Sequence, residues 1–245
     1  MNDNEVKILY ETKGYGKFKP NIVNPNFNKH QIKVPFRMLV TGGSGISMKT
    51  NGVLWLIQEA FDNTFDHLIF CIKEMESIYE WFFSKLPPGS YTVFIDEIPD
   101  LKAFHKTNER EYEGKQLLWV FDDMMNSPIH NKKIVEHFLR GRKLPKKGNS
   151  SMIYITQSFS GMGPIGRSLR QQMTHIMLKK VNSTNIVDDI LSEYRLGNKS
   201  REELLAMYNY ANDKPQNFLL IDTEAPEGKI FRKNLYEFLD WNKNK

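Results

Sequence analysis

The stretch 42–51, GGSGISMKTN, sets glycines and small hydroxylated residues directly ahead of Lys49 and Thr50. A glycine loop leading from a strand into a helix and ending in Lys-Ser or Lys-Thr holds phosphate. Backbone N–H groups cradle the oxygens, the Lys reaches the outer ones, and the hydroxyl holds Mg2+. On that reading Gly42, Gly43, Ser44, Gly45, Ser47, Lys49, Thr50 and Asn51 surround a nucleotide's phosphates, and Thr50 also serves the metal. Two registers are open. Counted back from Lys49, the pattern G-x-x-x-x-G-K-[ST] starts at Gly43 and puts Met48 where its last glycine belongs. Alternatively the loop is GGSGSGKT with one residue inserted, and Gly42, Gly43, Ser44 and Gly45 keep their places. Either way a Cβ and a long side chain stand where backbone approaches phosphate. The competing reading is a glycine-rich turn without a ligand; the intact Lys-Thr weighs against it.

Hydrolysis needs a carboxylate that orders Mg2+ and a second that polarises the attacking water, both at the end of an apolar strand. Two segments offer them: YTVFIDE ends in Asp96-Glu97 and LLWVFDD ends in Asp122-Asp123. Spelling favours the first. Position favours the second, because LLWVFDD is followed by one helix and then by the strand MIYITQ, whose terminal Gln157 is placed for the γ-phosphate or the water. Asp122 and Asp123 are therefore preferred, and Asp96-Glu97 reads as a strand end with solvated carboxylates.

These groups require a scaffold that the hydrophobic pattern supplies. Apolar runs at 36–41, 67–73, 91–97, 117–123, 151–157, 175–180 and 217–223 read as strands. Helical spacing appears at 53–61, 76–86, 127–141, 184–196 and 200–212, with Ser127 as an N-cap ahead of Pro128 and a capping box from Ser200 to Glu203. Alternating strands and helices predict an α/β fold, a mostly parallel central sheet with helices on both faces. Residues 106–116 are charged and poorly periodic. Residues 1–34, rich in Asn, Lys and Pro, read as an extended arm on a domain spanning 35–245.

The order GGSGISMKTN, LLWVFDDM, FLRGRKLP, MIYITQSF resembles the genome-packaging ATPases of the FtsK-HerA group found in poxviruses, giant viruses and virophages. The resemblance spans about residues 36–180. In that family the acidic strand reads FDD, an RGR segment follows the next helix and the next strand ends in Gln. IPDL-like residues often precede the acidic strand, which marks FIDEIPDL as structural. The resemblance implies a RecA-like (ASCE) P-loop NTPase, with ATP and Mg2+ as cofactors. It makes Asp122 the Mg2+ ligand through water, Asp123 the general base and Gln157 the sensor. It also implies a homo-oligomeric ring acting on double-stranded DNA, a viral capsid or vertex protein as partner, and a place in the host cytoplasm, in a virus factory, with association with the virion. The departure is Met48, where the family has glycine.

An arginine presented across a subunit interface stabilises charge on a transferring phosphoryl group, and Arg140 and Arg142 in FLRGRKLPKKG are the residues placed for it. The same segment, with Lys143, Lys146 and Lys147, and the pair Arg167 and Arg170, would touch DNA phosphates without regard to sequence. A solvated basic helix end is the plain alternative. The chain of 245 residues is 40% hydrophobic, with a formal net charge of +5, a composition for one large folded domain that permits a polyanionic partner without demanding one. The single cysteine, Cys71, excludes an internal disulfide and fits a reducing setting. No window approaches the roughly 18 apolar residues of a membrane span, so no membrane is expected. Two further readings stand beside the motor: a nucleotide-binding or scaffold component that hydrolyses poorly because of Met48, and a small-molecule kinase, which would need a lid and an acceptor pocket.

Overall fold

The computed structural model of the protein describes residues 8–9, 12–45, 47–124, 127–157, 163–194 and 199–239. Its centre is a sheet with nine strands among the described residues: β1 (Arg37–Thr41), β2 (His67–Ile72), β3 (Tyr91–Ile95), β4 (Gln116–Asp122), β5 (Asn149–Thr156), β6 (His175–Leu178), β7 (Leu219–Asp222), β8 (Phe231–Lys233) and β9 (Glu237–Phe238). Their order is β3-β2-β4-β5-β1-β6-β7-β8-β9. From β3 to β6 every pairing is parallel, and β6-β7, β7-β8 and β8-β9 are antiparallel. The seven strands expected from apolar runs are all present; the edge pair β8 and β9, too short to leave a periodic signature, was not anticipated.

Successive side chains of a strand point to opposite faces, and here each face is covered. Met38, Val40, Leu118, Val120, Ile153 and Ile155 pack under α2 (Lys49–Ala60) and α3 (Ser77–Phe83). Leu39, Trp119, Phe121, Met152 and Tyr154 pack on the other face under α6 (Pro128–Arg140) and further helices, α7 (Gly163–Arg170), α8 (Thr184–Glu193) and α9 (Arg201–Ala211). Burial on both sides explains why the strands read as continuous apolar runs. It also places Cys71 in the core, where burial pushes its thiol up.

Two local expectations are met by hydrogen bonds. Ser127 caps α6, accepting from the His130 amide at 3.1 Å. Ser200 and Glu203 form the reciprocal capping box of α9. A further cap, not anticipated, is Asp100 on α4 (Leu101–Thr107), accepting from the Ala103 amide at 2.8 Å. α5 (Glu109–Tyr112) and the last residues of α4 occupy the segment that looked aperiodic; both helices are too short to show an amphipathic repeat. The last residues of the helix expected over 184–196 lie outside the described residues. Ahead of β1, a short helix α1 (Phe27–His30) interrupts the expected extended arm, and His30, Ile32 and Val34 are buried. Gln116 at the start of β4 exchanges hydrogen bonds with the backbone of Val23, donating to its carbonyl at 2.8 Å.

Candidate nucleotide site

Strand order brings the chemistry together. β5 lies between β1 and β4, with Thr41 level with Thr156 and Ile155 level with Asp122. Three chain segments therefore leave the sheet at one edge: the loop after Thr41, Gln157 after Thr156, and Asp123 after Asp122. Neighbouring strands lie about 4.8 Å apart, so the outer two of the three are about 10 Å apart, a span that side chains and a phosphate can bridge. A cleft of about 570 Å³ opens there, a volume in the range of small-molecule sites. Crevices of this kind form at the carboxyl ends of strands in open α/β sheets.

The loop forms one wall. Ser47 is buried and its hydroxyl donates to the Gly43 carbonyl. The Gly43 amide donates to the Lys180 carbonyl at 2.9 Å, which ties the loop to the end of β6. Lys49 folds back so that its ammonium donates to the carbonyls of Gly42 at 3.2 Å and Gly43 at 3.0 Å. Burial holds the Lys49 amine below its ordinary value, and Asp122 and Asp123 pull it back up. Ser44, Gly45, Met48 and Asn51 are exposed at the lip of the cleft. Ile46 lies outside the described residues. Met48 caps α2 with φ +49 and ψ +45, a left-handed conformation that favours glycine, so this backbone position still has the shape a glycine would suit.

The opposite wall is acidic. Thr50 Oγ1 donates to Asp122 Oδ2 at 2.8 Å, joining the first turn of α2 to the end of β4. Tyr79, on α3, donates its hydroxyl to the same oxygen. Burial raises the Asp122 carboxyl, while the hydrogen bonds from Tyr79 and Thr50 favour its charged form and the neighbouring Asp123 opposes it. Asp123 takes φ +52, which turns the chain out of the strand and leaves its side chain exposed to the cleft. Gln157 is exposed on the same lining. Tyr79 was not among the residues expected at this cleft. No spacing rule links it to Asp122, because the two meet only through the pairing of β2 with β4.

The alternative carboxylates lie elsewhere. Asp96 follows β3, with β2 between that strand and β4, and its carboxylate pairs with Lys73 at 2.6 Å. Arg140 and Arg142 are likewise absent from this cleft. α6 starts just after β4 and runs 13 residues back across the sheet, about 20 Å, to the edge where β5 begins. Arg142 there lies near enough to Arg37, the first residue of β1, to depress that guanidinium, second to burial. Arg140 pairs with Glu136 at 3.2 Å, and Arg142 and Lys143 are exposed. Of the remaining basic residues, Lys146 pairs with Glu109, Lys147 with Glu113 and Arg170 with Glu193, while Arg167 is exposed.

The residues fit Mg2+ in one way only. Among the described residues no group of three His, Cys, Asp or Glu could hold a metal ion. Thr50 and Asp122, two oxygen donors 2.8 Å apart, suit an ion that keeps most of its waters and takes its other ligands from substrate phosphates.

The chain superposes on the genome packaging NTPase B204 from Sulfolobus turreted icosahedral virus 2. The sulfate complex aligns with a TM-score of 0.50 and 16% identity over 79% of this chain and 94% of that one. The ATP-gammaS complex gives 0.50 and 16% over 78% and 94%. The fold is that of a RecA-like P-loop ATPase. A weaker likeness, TM-score 0.46 at 14% identity, joins 69% of the chain to the cytoplasmic domain of EssC, about a third of whose length (34%) it spans. No protein-family model and no curated protein sequence matches the chain. Among the described residues no helix is long and apolar enough to cross a membrane.

Proposed function

We propose that the chain is an ATP-driven translocase of double-stranded DNA that packages a viral genome, working as a homo-oligomeric ring with ATP hydrolysed between subunits. One observation carries this reading: Lys49 and Thr50 face Asp122, Asp123 and Gln157 across a single cleft, with Thr50 bonded to Asp122. The likeness in fold to a genome packaging NTPase supports it.

In this mechanism Lys49 leaves the loop carbonyls for the outer phosphates of ATP. Thr50 and, through water, Asp122 would hold Mg2+, which would supply charge neutralisation on those phosphates. Asp123, exposed and one residue beyond the buried Asp122, takes the proton of the attacking water, and Gln157 orients that water against the γ-phosphate. Arg140 or Arg142 acts on the phosphates of a neighbouring copy, since each stands at the far edge of its own sheet. Exposed Arg142, Lys143 and Arg167 contact DNA phosphates without regard to sequence. A capsid or vertex protein anchors the ring, residues 1–34 act as an arm on the 35–245 domain, and the site of action is the host cytoplasm, in a virus factory, with association with the virion.

The deciding experiment is ATP hydrolysis by the purified protein with and without double-stranded DNA, beside Lys49→Ala and Asp122→Asn. Stimulation by DNA that both substitutions remove is expected. A second reading, a nucleotide-binding component of the packaging vertex with weak hydrolysis, is favoured by the exposed Met48 side chain at the lip. Binding of ATP without hydrolysis, with or without DNA, would establish that reading instead.

A further inference from the structure

Just beyond β6, Lys179 continues the strand's path, its amide donating to the Thr41 carbonyl at 2.9 Å. Its side chain is fully buried. The ammonium donates to the Gln216 carbonyl at 2.9 Å and lies 5.8 Å from the centre of the Phe218 ring. Among the described residues no carboxylate pairs with it.

Two glycines make room for this side chain. A Cβ on Gly42 would come within 2.9 Å of the Lys179 Cβ, and one on Gly52 within 3.3 Å of its Nζ. Gly52 is the fourth residue of α2, so the ammonium rests against the first turn of the helix that the phosphate loop opens. That turn carries Lys49 and the positive end of the helix dipole. A glycine inside a helix costs about 1 kcal/mol relative to alanine, and its contact with a buried cation gives it a reason.

An ammonium out of water with one neutral acceptor is unfavourable, and like charge nearby makes it more so. Burial first, and Lys49 second, push the Lys179 amine down to about 8. The nucleotide-free loop thus has a second cation stored behind it.

We propose that Lys179 is a second phosphate-directed cation of this site, acting through its field from behind the loop rather than by contact, and selecting for ligands with several phosphate charges. The inference rests on reading the loop as a polyphosphate site. Within that reading it assigns a role to a residue outside the motif.

Calorimetry with ATP and Mg2+, and with adenosine as the uncharged comparison, on the wild-type protein, Lys179→Met and Lys179→Gln tests it. Gln keeps a donor for the Gln216 carbonyl and removes the charge. Both variants are expected to bind ATP about tenfold more weakly, a change of about 1.4 kcal/mol, with adenosine binding unchanged. Without nucleotide the Gln variant is expected to melt at the wild-type temperature or above it. Wild-type ATP affinity in Lys179→Gln would overturn the proposal and leave Lys179 a clamp on the Gln216 loop. Absence of ATP binding by the wild-type protein would instead remove the polyphosphate reading, and the proposal with it.

Discussion

Tyr79 and Asp122, 43 positions apart in sequence, share a buried hydrogen bond in which the phenol donates to Oδ2. The same oxygen accepts from Thr50, so two donors fix the orientation of the carboxylate. The phenol is itself immobilised, stacked on Phe83 at 5.8 Å and edge-on to Phe70 at 6.0 Å. Hydrogen bonds to charged groups contribute about 1.5–3 kcal/mol, enough to decide whether a buried carboxylate keeps one geometry.

Tyr79→Phe removes that bond while retaining the ring packing. The Mg2+ concentration for half-maximal hydrolysis should rise about tenfold, with the KM for ATP at saturating Mg2+ changing little. An unaltered Mg2+ requirement would reduce Tyr79 to a core residue that happens to lie beside Asp122.

Asp123→Asn should abolish hydrolysis while leaving ATP binding intact, because Asp123 is exposed to the cleft one residue beyond the buried Asp122. Equilibrium binding of ATP beside single-turnover hydrolysis would check this. Loss of binding in the variant would mean that Asp123 helps hold the nucleotide.

Met48→Gly probes the loop register. A non-glycine residue in the left-handed region costs about 1–2 kcal/mol, partly offset by the greater freedom glycine gives the unfolded chain. A small rise in melting temperature is expected from the relief at φ +49. If Met48 occupies the place of the last glycine, ATP affinity or turnover should rise as well. Unchanged or damaged activity would favour the inserted register.

Arg140→Ala and Arg142→Ala address hydrolysis between subunits. Neither residue lies at the cleft of its own chain, so ATP binding by isolated subunits should be untouched in both. The one that acts across the interface should lose hydrolysis about a thousandfold when assembled, and mixing it with a Lys49→Ala protein should restore part of the activity. No loss in either variant, in a protein that hydrolyses ATP, would remove both from the mechanism.

Much of this site was legible because its parts are local. Strand, glycine loop, Lys-Thr and helix follow one another between 37 and 60, and a strand ending in Asp122-Asp123 needs only its own hydrophobic run to be recognised. Each cap that was anticipated, at Ser127 and Ser200, depends on residues within one turn. What failed was either too short or too distant. α4, α5, β8 and β9 span too few residues for a period to show.

The sequence by itself determined the glycine loop between strand and helix, the strand ending in Asp122-Asp123, the alternation of strands and helices and the apolar runs of a sheet buried on both faces, because those properties are written in neighbouring residues. Only the tertiary structure decided which strands lie side by side. That order set Asp122 rather than Asp96 against Thr50, brought Tyr79 to Asp122 and Lys179 beneath the loop, and carried Arg140 and Arg142 to the far edge. The physical reason is that strand order follows from packing two faces at once, a property of the whole sheet that no single stretch of the chain contains.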